Sequence, residues 1–306
     1  MDPPNTIHEL SGPVRLTPSM LPSNPNEDFR DSSFHQQSQL PSPDEVRAQA
    51  QAQHRAGINP DRRKVLCSES PHWSPPPVVF ESLGLFVKWG GPGGVPVPEI
   101  YGWRTDGGEV FLYLQLLRGQ TLEQAWEAMG MEDRVRVCQE LRTCLSSLRR
   151  LEQDPVDPFV GNIGRSHLYD RTIPDHFTAE AGPFSSVTEF HDWFTFLCRR
   201  RMPDPYSIPV EPFRYQLPDN AAIKFTHGDL HRSNTIVTGS EPRHVVGIVD
   251  WEQAGWLPEY WEARKARWTA HWTEEWSTTY LPMILEPYES TRTRGTECFT
   301  AIPACI

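Results

Sequence analysis

The chain has 306 residues, a net charge of −11, 30 prolines and only 38% hydrophobic residues. Its length suffices for one large domain or two lobes without stapling, and its acidity excludes nucleic acid as the main partner, because phosphate binding needs a basic surface. The low apolar fraction and the many prolines predict that part of the chain is not packed. The six cysteines (67, 138, 144, 198, 298 and 305) show neither CxxC nor zinc-type spacing. Cys138 and Cys144 fall in a helical pattern as small apolar residues, which points to a reducing compartment. MDPPNTIHEL has no basic segment before an apolar run, so no signal peptide is expected. No apolar stretch approaches bilayer length. The expectation is a soluble cytoplasmic protein with no membrane partner; nothing in the sequence fixes an oligomeric state.

Residues 1–61 are rich in Pro, Ser, Asn and Gln, as in LPSNPNEDF and QQSQLPSPDE. They bury too little apolar surface to offset ordering entropy, which predicts a disordered N-terminal region. Within it, DEVRAQAQAQHRA (44–56) has helical composition but no apolar face. VVF (78–80) and LGLFVKW (83–89) read as strands joined by a tight ESLG turn, and VPVPEIYGW (95–103) and EVFLYLQLL (109–117) follow. A small β-rich region over residues 62–118 is therefore expected.

Residues 119–286 read as mostly helical. Thr121 and Gln124 stand at capping-box spacing, as do Ser186 and Glu189. Val137, Leu141, Leu145, Leu148 and Leu151 recur at three- and four-residue intervals before Pro155 stops the helix. NTIV (234–237) and RHVVGIVDW (243–251), separated by TGSEP, predict a hairpin. Trp268, Trp272 and Trp276 repeat every fourth residue and read as a packing stripe on one helix, with Glu274 and Glu275 on an exposed acidic face. Residues 287–306 read as a disordered tail.

Just before the hairpin the chain reads FTHGDLHRSNTIV (225–237), two histidines, an aspartate and an asparagine between apolar flanks. Asn234 opens the first hairpin strand and Asp250 ends the second, and in an antiparallel pair those ends are neighbours. Asp229 lies in the loop just before. Two oxygen ligands beside a third carboxylate suit a hard cation such as Mg²⁺ holding phosphate oxygens, with Asp229 left to orient a nucleophile. His227 reads as a brace of the loop rather than a proton acceptor.

HGDLHRSN (227–234) followed by IVDWE (248–252) resembles the signature of the aminoglycoside phosphotransferase family, which includes choline kinase-like enzymes and shares the protein-kinase-like fold. The resemblance runs through GLFVKW, VPVPEIYGW, FLYLQLLRGQTL, LRRLEQDP, PFVGNIG, GPFSSVTEFHDW and GWLPEYWE, over roughly residues 80–265. It is nearest to the large fungal branch. The implied fold is α+β and two-lobed, with a truncated antiparallel β N-lobe and a mostly helical C-lobe. The implied function is ATP- and Mg²⁺-dependent transfer of the γ-phosphate to a hydroxyl of a small metabolite or aminoglycoside-like substrate. Asp229 would orient the hydroxyl and accept its proton, and Asn234 and Asp250 would hold magnesium. Lys88 would hold the α- and β-phosphates, the backbone of Gln115, Leu116 and Leu117 would meet adenine at a hinge, and His231 would touch the γ-phosphate.

The most serious departure from the family pattern follows the lysine strand. In the kinase-like fold a helix after the lysine strand supplies a glutamate that pairs with the lysine. Here WGGPGGV (89–95) holds four glycines, a proline and no acid, and cannot form that helix. Within that stretch Lys88 has no partner; Glu81 and Glu99 are the nearby substitutes. Gln115 stands where the family usually carries an acid, and no Gly-rich phosphate loop precedes GLFVKW. The alternative to an active enzyme is therefore a pseudokinase-like member that keeps the fold and binds nucleotide without turnover. A third reading, a metal-dependent hydrolase with His227, Asp229 and His231 as ligands, lacks the second acid–histidine cluster such sites need.

Overall fold

The computed structural model describes residues 14–16, 24, 26–35, 39–58, 77–90, 98–171, 173, 181–197, 199–200, 203–207, 209, 212–270 and 273–286. In chain order the first strands are β1 (Val14–Arg15), β2 (Glu27–Asp28), β3 (Val78–Phe80), β4 (Leu85–Gly90), β5 (Ile100–Asp106) and β6 (Glu109–Gln115). There follow β7 (Gln120–Thr121), β8 (Leu151–Glu152), β9 (Gly161–Asn162), β10 (Ile223–Thr226), β11 (Thr235–Val237), β12 (Val245–Ile248) and β13 (Gly255–Pro258). The chain divides into two compact units, one of Pro22–Val137 with Asp229–Gln253, the other of Met1–Leu21 with Cys138–Gly228 and Ala254–Ile306. The division does not fall at residue 118, because the loop and hairpin after Gly228 belong with the N-terminal strands.

The first unit is built on a five-stranded antiparallel sheet of order β2-β5-β6-β4-β3. The expected ESLG turn between β3 and β4 is a short 3₁₀ turn closed by Gly84 in the left-handed region, at φ 61°, a conformation that costs glycine nothing. Side chains alternate across β4. Leu85 and Val87 are fully buried with Val78, Phe111 and Tyr113, which puts Lys88 on the opposite face.

The buried face is covered by α1 (Pro43–Arg55). Residues 26–35 and 39–58 are thus structured, contrary to the expectation of disorder through residue 61. Ser42 and Glu45 form a reciprocal capping box, Pro43 opens the first turn and His54 and Arg55 close the last, so local chemistry favours the helix at both ends. What the sequence hid is how it packs. Val46 is completely buried, in one cluster with Phe34, Val78, Leu85, Val87, Tyr101, Phe111 and Tyr113.

The other contacts of α1 are polar. Gln53 accepts from the Val79 N–H at 2.7 Å and donates to the Pro77 carbonyl at 3.3 Å, while Gln49 donates to the Val79 carbonyl at 3.1 Å. Two glutamine side chains therefore satisfy the outer edge of β3, where a further strand would otherwise pair. Arg47 reaches Asp106 at 2.7 Å and Glu109 at 2.9 Å and lies 4.9 Å from the Phe111 ring centroid. A helix with one apolar anchor and several directed hydrogen bonds shows no apolar stripe.

The hairpin forms as expected: β11 pairs with β12, and β7 adds to its other side, giving the order β12-β11-β7. Gly119 is required beside it, since a Cβ there would lie 2.1 Å from the Val237 carbonyl oxygen. Thr121 and Gln124 make the expected capping box.

In the second unit β10, β13 and β9 form an antiparallel sheet, order β10-β13-β9, which the sequence did not reveal. Phe190 and Phe194, on the helix Val187–Phe196, meet Trp261 edge-to-face at 4.9 and 5.1 Å. Ser186 caps that helix, but Glu189 turns back to Ser185 instead of completing the box. Trp268 packs against the same core and Trp276 is buried. They lie on separate helices, Trp261–Thr269 and Trp276–Tyr280, not on one stripe, and Trp272 is outside the described residues. Glu274 and Glu275 are exposed. The C-terminal tail also lies outside the described residues.

A buried polar network crosses this unit. His191, with no exposed surface, faces Asp219 through Nδ1 at 2.9 Å and the Tyr260 hydroxyl through Nε2 at 2.5 Å. A neutral ring satisfies both: Nδ1–H donates to the carboxylate and Nε2 accepts from the tyrosine. Arg214 bridges Asp192 at 2.6 Å and Asp219 at 2.9 Å. Burial pushes the imidazole down from its ordinary value, more than Asp219 raises it.

Two outcomes follow for stability. Val46→Ala should cost about 1–3 kcal/mol in urea melts; a change within about 0.5 kcal/mol, as at a surface site, would mean that α1 is not packed. His191 stays neutral in the fold and binds a proton on unfolding, so its contribution is full above its ordinary pKa of about 6.5 and is lost as pH falls below it. Stability between pH 7.5 and 5.5 should therefore fall more steeply in the wild type than in His191→Asn; equal slopes would contradict the buried neutral imidazole.

Candidate functional site

The segment after β10 leaves the second unit through His227 and Gly228. His227 is fully buried, and its N–H donates to Glu262 at 2.6 Å, with the Gly228 N–H donating to the same carboxylate at 3.2 Å. Gly228 sits at φ 79°. A buried glutamate accepting two adjacent amides is a charge-assisted clamp, so His227 is held at the base of the loop. Glu262 went unassigned in the sequence, where only its place ten residues after IVDWE marks it.

Within the first unit the loop turns on itself. The His231 N–H donates to the Asp229 carbonyl at 2.8 Å, and the Asn234 N–H to the His231 carbonyl at 2.9 Å. His231 Nδ1 accepts from the Ser233 N–H at 3.2 Å and caps the 3₁₀ turn Arg232–Asn234. A ring that accepts at Nδ1 carries its proton on Nε2. His231 is thus first a cap; its remaining donor is Nε2–H.

Asn234, only 9% exposed, donates through Nδ2 to the Asp229 carbonyl at 2.9 Å and to Asp229 Oδ2 at 3.1 Å. The structure therefore brings these two expected site residues together. With its NH₂ directed to Asp229, the amide presents Oδ1 as its acceptor. The Asn234 carbonyl accepts from Val249 N–H at 2.9 Å, which sets Asp250 one residue beyond the hairpin register. Asp250 has φ 67°, a left-handed conformation that costs an L-residue about 1–2 kcal/mol and that Asp tolerates better than most.

Asp250 pairs with Lys88, and Glu252 pairs with the same ammonium at 3.1 Å. Lys88, Asp250 and Glu252 side chains are 29, 21 and 10% exposed. Burial alone would push the Lys88 ammonium down, but the two carboxylates outweigh it and raise its pKa above the ordinary value. The lysine left without a partner in the sequence has two. Neither is a suggested substitute: Glu99 accepts from the Ser33 N–H at 2.8 Å and its hydroxyl at 2.6 Å, and Glu81 lies 3.9 Å from Arg118. Glu252 was visible in IVDWE without a role; its signal was a carboxylate two residues from a metal-ligand candidate.

The expected hinge residues divide. The Gln115 N–H donates to the Glu99 carbonyl and the Leu116 N–H to the Gly84 carbonyl, each at 2.9 Å. Both amides are spent within the fold. Leu117 packs where a Cβ on Gly247 would lie 2.6 Å from its Cδ1, so the hairpin and this segment approach closely.

The donor set fits a magnesium ion. Among the described residues no group of three or more His, Cys, Asp and Glu side chains is arranged to hold a metal. Mg²⁺ needs no such cage, since it binds through one or two protein oxygens and completes its shell with phosphate and water. The candidate oxygens are Asn234 Oδ1 and the carboxylate of Asp250, which here pairs with Lys88. Among the described residues no helix is long and apolar enough to cross a membrane.

A comparison with curated proteins found no match. A protein-family model, the APH phosphotransferase enzyme family, matches residues 59–298 and so spans β3 to β6 of the five-stranded sheet, the loop and the hairpin. The chain belongs to the APH phosphotransferase family.

Proposed function

We propose that this chain is an ATP- and Mg²⁺-dependent kinase of the cytoplasm, with the protein-kinase-like, two-lobed fold of the family's fungal branch, acting on a hydroxyl of a small metabolite or aminoglycoside-like acceptor. The observation that carries the reading is the Asn234 amide bonded at once to the Asp229 carbonyl and carboxylate. It supports reading Asp229 as an oriented proton acceptor and the Asn234 amide oxygen, which also accepts from the Ser233 hydroxyl at 3.4 Å, as a cation ligand together with Asp250.

Each residue then has one task. Asp229 orients the acceptor hydroxyl and takes its proton as ADP leaves; transfer relies more on positioning and charge neutralisation than on basicity. Asn234 and Asp250 hold magnesium. A magnesium ion held there would supply neutralisation of the charge that develops on the phosphate oxygens. Lys88 holds the α- and β-phosphates as a three-donor point charge. Of the three hinge residues Leu117 supplies the N–H for adenine, since the other two already donate elsewhere. His231, protonated on Nε2, has a donor for the γ-phosphate. The net charge of −11 supports a small-molecule acceptor over nucleic acid.

Release of ADP, followed with a panel of hydroxylated amines, sugars and amino alcohols, tests the reading. Asp229→Ala should lower turnover by about 10²- to 10⁴-fold and leave Mg-ATP affinity within about twofold. Asp250→Ala should instead abolish the magnesium dependence of nucleotide binding. Full turnover by Asp229→Ala, or magnesium-dependent binding retained by Asp250→Ala, would contradict these roles.

A further inference from the structure

The kinase-like plan gives its phosphate-binding lysine a helix-borne glutamate, and this sequence has no acid between Lys88 and Glu99. Glu99 is committed to Ser33 by two hydrogen bonds. The two carboxylates on Lys88 come instead from one short segment after β12. They are not equivalent. Asp250 is the candidate cation ligand and sits in a left-handed conformation. Glu252 lies in the 3₁₀ turn Trp251–Gln253, with a side chain only 10% exposed. Trp251, itself buried, pins that turn by donating from Nε1 to the Ile248 carbonyl at 2.8 Å, and Gln253 is buried on its other side. Glu252 is thus carried by a braced element.

We propose that Glu252 is a positioning residue that takes the place of the missing helix glutamate, holding Lys88 in place while Asp250 gives up the ammonium to serve a divalent cation. The inference rests on the phosphotransferase reading. An ammonium has three donors, so Lys88 keeps Glu252 on one and offers the others to phosphate oxygens. A lysine paired to Asp250 alone would lose that anchor when the carboxylate turned to the cation, and its four-carbon stem would regain its rotamer freedom. The second carboxylate removes that conflict. It also supplies its charge from the hairpin segment that carries Asp250, so lysine and cation ligand are registered to one element without a helix between strands.

Calorimetric titration of the full chain with ADP in the presence of Mg²⁺ tests this, using wild type, Glu252→Gln, Glu252→Asp, Lys88→Met and the double variant Lys88→Met/Glu252→Gln. Glu252→Gln should weaken Mg-ADP binding by about tenfold, the size of coupling seen between contacting residues. Glu252→Asp should recover at least half of that loss on a logarithmic scale. The double variant should bind no more weakly than Lys88→Met. A carboxylate needed only for the fold would lower the melting temperature, and its loss would add to that of Lys88→Met. Unchanged affinity in Glu252→Gln, or additive losses, overturns the proposal while weakened binding by Lys88→Met leaves the phosphotransferase reading standing. Should Glu252→Gln fail to fold, an affinity in Glu252→Asp equal to that of Lys88→Met overturns it and a partial loss supports it. Wild type that binds no Mg-ADP overturns both.

Discussion

One ammonium between two carboxylates holds the site together. Lys88 rises from the central sheet, Asp250 and Glu252 follow the hairpin, and all three are largely shielded from water. An exposed pair of this kind contributes little, but removing one partner of a shielded pair leaves an uncompensated charge at several times that cost. Lys88 therefore cannot be exchanged for a neutral residue without leaving two neighbouring carboxylates facing each other. The trio carries a formal charge of −1. A divalent cation would offset that excess and the charge that phosphates bring with them.

The same constraint explains the arrangement around it. Asp250 accepts left-handed backbone geometry, and its conformational cost is met by register: Val249 is bonded to Asn234, and Trp251 to Ile248, on either side of it. Asn234 uses its amide nitrogen for Asp229, and its oxygen faces away from that bond and accepts from the Ser233 hydroxyl at 3.4 Å. The loop's other histidine-bearing end is tied to Glu262, so Asp229 lies along the chain between two anchored stretches. The central sheet is equally supported on its far face, where α1 supplies one valine and two edge-pairing glutamines.

Much of this was legible in the sequence, for physical reasons. The alternation in EVFLYLQ, the turn residues between NTIV and RHVVGIVDW, and the capping pair Thr121 and Gln124 are local signals, and each element formed close to its expected place. The spacing of HGDLHRSN and IVDWE pointed to the family that the family model shows, and with GLFVKW it named Asp229, Asn234, Asp250 and Lys88 as candidates. Most of the failures are non-local. The helix α1 looked unanchored because its contacts are glutamine side chains meeting a strand edge 24 to 30 residues away. Lys88 looked unpaired because its partners lie 162 and 164 residues on. The strands β10 and β13 were missed because their partners are separated by the entire loop and hairpin. The tryptophan stripe failed for the opposite reason: a local period of four continued across a break between helices.

The most direct test is a crystal structure with Mg²⁺ and a non-hydrolysable ATP analogue. Lys88 should have left Asp250 for phosphate oxygens while staying on Glu252, with Asp250 and Asn234 Oδ1 on the metal. A nucleotide bound elsewhere, or one bound with the Lys88–Asp250 pair unbroken and no cation on Asn234, would contradict that arrangement.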